Sequence, residues 1–239
     1  THRLPETFRR VFPSGTYRGM ALDFSHEPEL LNTGGGLRQA YDRIGRGPLL
    51  VHSADVLTDL PIAPLLDEHR RAGNLVTLAL RSSGGPLHVA FDPEQRRVLD
   101  IRAKLGASAG QPCLYANLCV LEEEFLRGIP PGRPIHVVDE WLRWLRAGAR
   151  VGGVILDAGI WSDLGTRGSY LAAHRSVADG WRPDYVEDPA WPLWIHPSAS
   201  ISGEARTEGF AAVGPRCTVG PRALLRDSIL WEDVAVEGW

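Results

Sequence analysis

From Ile195 onward the chain can be written in sixes: IHPSAS, ISGEAR, TEGFAA, VGPRCT, VGPRAL, LRDSIL, WEDVAV. The first column holds Ile195, Ile201, Thr207, Val213, Val219, Leu225 and Trp231, and the fifth holds Ala199, Ala205, Ala211, Cys217, Ala223, Ile229 and Ala235. An apolar column and a small-residue column at that period predict a β-helix, in which every coil buries the same positions against its neighbours. The repeat runs out at Trp239 without a polar cap, and the chain begins at Thr1 with Met20 as its only methionine, so both ends read as cut.

The preceding residues follow a different rhythm. GPLLVHSAD is a short apolar run after a Gly-Pro break and predicts a strand buried on both faces. In LTDLPIAPLLDEHRRAG, Asp59 suits a helix N-cap and Pro61 the first turn; Ile62, Leu65, Leu66 and His69 share a face, and Gly73 ends the helix. NLVTLALR predicts the next strand, which completes a β-α-β unit and a parallel sheet. PLHVAFDPEQRRVLDIR predicts a hairpin, CLYANLCVL a strand, HVVDEWLRWLRAG a helix stopped by Gly148, and SYLAAHRSV a helix. The domain reading is α/β for 1–178, a Trp- and Pro-rich linker at 179–194, and the repeat at 195–239.

With 239 residues and 44% hydrophobic content the chain can bury a large core. The net charge of −3 comes from interspersed acids and bases, which suits neither a phosphate backbone nor an anionic membrane surface. No apolar run reaches the ~20 residues of a membrane span. Cys113, Cys119 and Cys217 lack any C-x-x-C spacing, and three scattered cysteines suit reduced thiols in the cytoplasm.

Three features carry chemistry. Gly34, Gly35 and Gly36 precede a helix expected to begin near Leu37, so a ligand could approach backbone N–H groups there. Asp55 ends the strand of VHSAD, at the sheet edge where α/β proteins bind ligands; a carboxylate there can reach a Mg²⁺ held largely by substrate phosphates. Asp163, in GIWSDLGTRGSYLAAHR, also stands between a strand and a helix, so both acids could face one crevice.

In order and spacing, TGGGLRQA, LLVHSADVLTDLPIAPLLDEHRRAG, GIWSDLGTRGSYLAAHR and the six-residue tail resemble a sugar-1-phosphate nucleotidyltransferase over essentially the whole chain. The closest likeness is to the mannose-1-phosphate guanylyltransferase-like and N-acetylmuramate-1-phosphate uridylyltransferase-like branch. The resemblance implies a Rossmann-like α/β nucleotidyltransferase domain, with its N-terminal part missing, followed by a left-handed β-helix of hexapeptide repeats. It implies that Asp55 and Asp163 hold a catalytic Mg²⁺ and that Gly34, Gly35 and Gly36 lie against the nucleotide. The implied reaction joins a nucleoside triphosphate and a sugar-1-phosphate into an NDP-sugar and pyrophosphate, with no protein nucleophile.

This chain departs from the family in three places. Nothing in residues 1–33 matches the triphosphate-gripping glycine-arginine loop, so the chain alone is not expected to turn over. Where the family often has Glu-Lys-Pro this chain has Ala103-Lys104-Leu105, so the resemblance implies Lys104 as the candidate sugar-phosphate contact, and Asn117 stands where the family usually has glycine in the strand implied to bind sugar. A non-catalytic regulatory or assembly homologue is the second reading; a hexapeptide acyltransferase is third, since His196 is the only histidine of the tail. Stacked coils commonly mediate self-association, so a homo-oligomer is one expected state; nucleic acid and membrane are not expected partners.

Overall fold

The computed structural model describes residues 1–107 and 109–239. The chain divides into two compact units, residues 1–53 with 61–158 and residues 54–60 with 159–239. The first unit contains helices α1 (Pro5–Val11), α2 (Asn32–Ile44), α3 (Ala63–Ala72), α4 (Glu123–Arg127) and α5 (Val137–Arg146). Its strands are β1 (Thr16–Tyr17), β2 (Met20–Ala21), β3 (Leu49–His52), β5 (Val76–Arg81), β6 (Val89–Asp92), β7 (Arg97–Ile101), β8 (Gln111–Leu121) and β9 (Val151–Ile155). The second unit contains β4 (Val56–Thr58), β10 (Trp161–Asp163), α6 (Arg167–Ala178), β11 (Ser200–Ile201), β12 (Arg206–Val213), β13 (Thr218–Val219), β14 (Leu224–Leu230) and β15 (Ala235–Val236).

The main sheet runs β3-β8-β5-β9-β7-β6, and β6 also pairs with β8, so five of its strands close on themselves. β3 and β5 are parallel, as a β-α-β unit requires, but each pairs antiparallel with β8, which lies between them. β5 is buried on both faces, with Val76, Thr77, Leu78, Ala79 and Leu80 fully enclosed, which is why its sequence runs apolar without alternation. α5 turns Val137, Trp141 and Leu142 into the core, where the Trp141 ring meets Tyr115 edge-on at 5.0 Å. Burying side chains of that size contributes about 1.5–3 kcal/mol each. His69 is a satisfied core histidine: its Nδ1 lies 2.8 Å from Thr77 Oγ1 and its Nε2 3.1 Å from Glu122 Oε1.

Two expected helix starts are corrected. α3 begins at Ala63 after Ile62, with Pro64 in its first turn, so neither Asp59 nor Pro61 serves it. α2 begins at Asn32, and Gly34, Gly35 and Gly36 lie inside its first turns rather than before it. The missing side chains of Gly34 and Gly35 let residues 133–135 press onto the helix. A Cβ on Gly34 would lie 2.8 Å from the Ile135 carbonyl oxygen, and one on Gly35 would run into the Arg133 carbonyl. Gly35→Ala is therefore expected to lower stability by about 1–3 kcal/mol, measured as a fall in Tm; an unchanged Tm would mean that the 133–135 segment yields freely.

In the second unit, β11, β13 and β15 form one parallel sheet and β12 and β14 another. Ser200 pairs with Thr218 and Arg206 with Leu224, each 18 residues on. Strict six-residue spacing fails once, between Glu208 and Ala211, where the register shifts and the offset falls to 17. The row that begins at Leu225 has five residues, so Val213 pairs with Leu230 and not with the expected Trp231. Leu230 and Val234 accordingly pack against the buried Val213, Cys217, Val219, Ala223 and Leu225, while Trp231 is turned out to solvent. Between α6 and β11, the Arg182 guanidinium donates to the carbonyls of Val186, Asp188 and Trp191 and shapes the aromatic segment. Among the described residues no helix is long and apolar enough to cross a membrane.

Candidate active site

Asp55 and Asp163 come together on the ribbon of β4 and β10. The strands pair antiparallel, Trp161 opposite Thr58 and Asp163 opposite Val56, and the Leu164 N–H donates to the Asp55 carbonyl at 2.7 Å. Both carboxylates are exposed. Asp163 is steadied by the Gly165 N–H, which donates to its Oδ1 at 2.8 Å. Immediately afterwards Thr166 and Ser169 cap α6 reciprocally: the Ser169 N–H reaches Thr166 Oγ1 at 3.1 Å and the Thr166 N–H reaches Ser169 Oγ at 3.2 Å. Gly165 keeps the space between the acids open, since a Cβ there would lie 2.9 Å from Asp163 Oδ1 and 3.9 Å from Asp55 Oδ2. Among the described residues no third His, Cys, Asp or Glu joins them in a metal-binding group.

The other expected site residues belong to the first unit. The N–H groups of Gly34 and Gly35 both point at the Ile135 carbonyl, at 2.7 and 3.3 Å, so these two groups hold the chain to itself. Asn117 sits in the middle of β8 with φ of 59°, in the left-handed region, where the β5–β8 register shifts between Leu78 and Leu80. Asparagine is among the few residues with a side chain that tolerates this geometry. The substitution therefore keeps the backbone that a glycine would have given, and the Asn117 carbonyl accepts the Ser53 N–H at 3.0 Å.

Lys104 is exposed on the turn after β7, and what builds that turn is a residue the sequence reading missed. The Asp100 carboxylate, 1% exposed, accepts the N–H groups of Ile101, Lys104, Leu105 and Ala107 at 2.6–3.1 Å. Burial pushes its pKa up, but the four N–H dipoles pull harder, and the group ends below its ordinary 3.8. The carboxylate thus stays charged and holds Arg102 and Ala103 at φ of 57° and 52°, a left-handed pair that bulky side chains resist. Beside this turn lies a cleft of 420 Å³ lined by His88, Asp100, Arg102 and Ala103 among others. The available sequence signal was Gly106, at φ of 76°, closing a tight turn after an aspartate.

No family model matches the chain. The mannose-1-phosphate guanylyltransferase of Mycobacterium tuberculosis is 28% identical over 98% of this chain and 66% of its own length. Mannose-1-phosphate guanylyltransferase 1 of Arabidopsis thaliana is 25% identical over 82% of this chain and 54% of its own. The chain thus spans between about half and two thirds of the length of these curated relatives. HddC from Yersinia pseudotuberculosis, crystallised with GMP-PN, superposes with a TM-score of 0.58 at 14% identity, over 74% of this chain and 76% of that one. Along almost its whole length the chain is therefore similar to mannose-1-phosphate guanylyltransferases, and it shares its fold with solved nucleotidyltransferase structures.

Proposed function

We propose that the chain supplies the acid pair of an enzyme that makes an NDP-sugar and pyrophosphate from a nucleoside triphosphate and a sugar-1-phosphate, in the manner of a mannose-1-phosphate guanylyltransferase. The observation that carries this reading is the meeting of Asp55 and Asp163 at the end of the β4–β10 ribbon, with Gly165 leaving the gap clear. A sugar-1-phosphate oxygen attacks the α-phosphorus, the bond to the β-phosphate oxygen breaks, and pyrophosphate departs. The donor set suits Mg²⁺, a hard cation that takes one or two carboxylates and fills its remaining positions with water and phosphate oxygen. Bound there, Mg²⁺ supplies charge neutralisation and alignment of the phosphates. Asp55 and Asp163 provide the oxygens, and the Gly165 N–H holds Asp163 in place.

Lys104 is the proposed cationic contact for the sugar phosphate, and Asn117 the residue that shapes the sugar-facing strand. The proposed nucleotide contact at Gly34, Gly35 and Gly36 rests on their lack of side chains, since two of their N–H groups are already engaged. The parallel offsets of 18 and 17 residues support a left-handed β-helix at 195–239, and cytoplasmic placement with magnesium dependence completes the reading.

Gly165→Ala tests the acid pair with little risk to the fold, because the atoms its Cβ would meet are movable carboxylate oxygens. In the gene product that carries this chain, pyrophosphate release should fall about tenfold or more as Asp163 is displaced, with Tm unchanged. Wild-type release in this variant would count against the pair as the reacting centre.

A further inference from the structure

The ribbon that carries the acid pair is only three residues long on each side, too short to hold its own register. A slip of one residue would turn Asp163 to the opposite face of the ribbon, away from Asp55. Something at the far end must prevent that slip. There, Ile160 is gripped at both of its backbone groups. Its N–H donates to Asp59 Oδ1 at 2.6 Å, and its carbonyl accepts from Thr58 Oγ1 at 2.8 Å and from the Asp59 N–H at 3.3 Å. The Trp181 indole N–H reaches the other oxygen, Asp59 Oδ2, at 3.4 Å. Gly159 sits at φ of 84° with the Asp59 carboxylate lying where its Cβ would be, so the turn is shaped to receive that carboxylate.

We infer that Asp59 is a positioning residue for the acid pair: its carboxylate locks the Gly159–Ile160 turn onto the end of β4 and fixes the register that sets Asp163 beside Asp55. A carboxylate bonded to a backbone N–H is among the stronger hydrogen bonds available, which suits a clamp that must hold a short ribbon. Asp59 is not placed in contact with substrate. The part of the inference that concerns metal rests on the proposed function; the part that concerns register does not.

The test reads the two ends separately. Hydrogen exchange at the Leu164 amide, which donates to the Asp55 carbonyl at the other end of the ribbon, is followed by NMR in the intact chain. Asp59→Ala should speed it about tenfold or more, and Asp59→Asn, which keeps an oxygen for the Ile160 N–H, should restore most of the protection. Asp59→Glu, displacing the charge by one methylene, should show the same loss and carries the test if the alanine variant does not fold. Wild-type exchange at Leu164 in both Asp59→Ala and Asp59→Glu would overturn the inference. Mn²⁺ titration by EPR forms the second arm, with affinity expected to fall roughly 10- to 100-fold in Asp59→Ala. If the wild type binds no Mn²⁺ while the exchange result holds, the register clamp is supported and the metal reading fails.

Discussion

In the gene product that carries this chain, asparagine at either Asp55 or Asp163 is expected to reduce the proposed NDP-sugar formation by about 10²- to 10³-fold, with substrate KM changed far less than kcat. Each substitution keeps the size of the side chain and removes the charge, and both carboxylates are exposed at the ribbon end, so the fold has little stake in them. The double variant should be scarcely worse than either single one, because two ligands of one site, as proposed here, act as a unit. Parallel measurement of kcat and Tm checks this. Full turnover in either variant would remove that residue from the site.

Alanine at Asp100 should have the largest effect on stability. It deprives four N–H groups, those of Ile101, Lys104, Leu105 and Ala107, of their acceptor and releases the left-handed pair Arg102-Ala103. The expected loss is about 3–5 kcal/mol, or roughly 10 °C in Tm for a chain of this size. The pH dependence has a definite sign. The folded pKa of Asp100 lies below its ordinary 3.8, so its contribution is fully present above that value and is lost as pH falls through the folded pKa. The gap between wild type and Asp100→Ala in urea unfolding should accordingly narrow below about pH 4. A gap that stays constant from pH 7 to pH 2.5 would show that the carboxylate charge contributes nothing.

The elements that could be read from sequence were those fixed by local pattern. NLVTLALR was legible as the strand β5, and α5 as Trp141 and Leu142 at helical spacing before Gly148, but GPLLVHSAD, expected to be buried on both faces, gives β3 with Leu50 45% exposed. The acid pair was legible because each aspartate stood at a strand end, although what aligns them, an antiparallel ribbon of residues more than a hundred apart, was not. What escaped depends on partners distant in the chain. Gly34 and Gly35 look like a turn ahead of a helix until Ile135 is seen to take their N–H groups inside α2. Asp59 looks like a helix cap until Ile160 arrives. The five-residue row at Leu225 was invisible because its replacement for Trp231, Leu230, is equally apolar.

The measurement that bears most directly on the account is pyrophosphate release by the gene product that carries this chain. It would be assayed with Mg²⁺ across a panel of nucleoside triphosphates and sugar-1-phosphates that includes GTP with mannose-1-phosphate. The account predicts release that requires both substrates and stops when the divalent cation is chelated. Failure of every pair to release pyrophosphate, from a folded protein, would contradict it and favour a homologue that keeps the fold without the reaction.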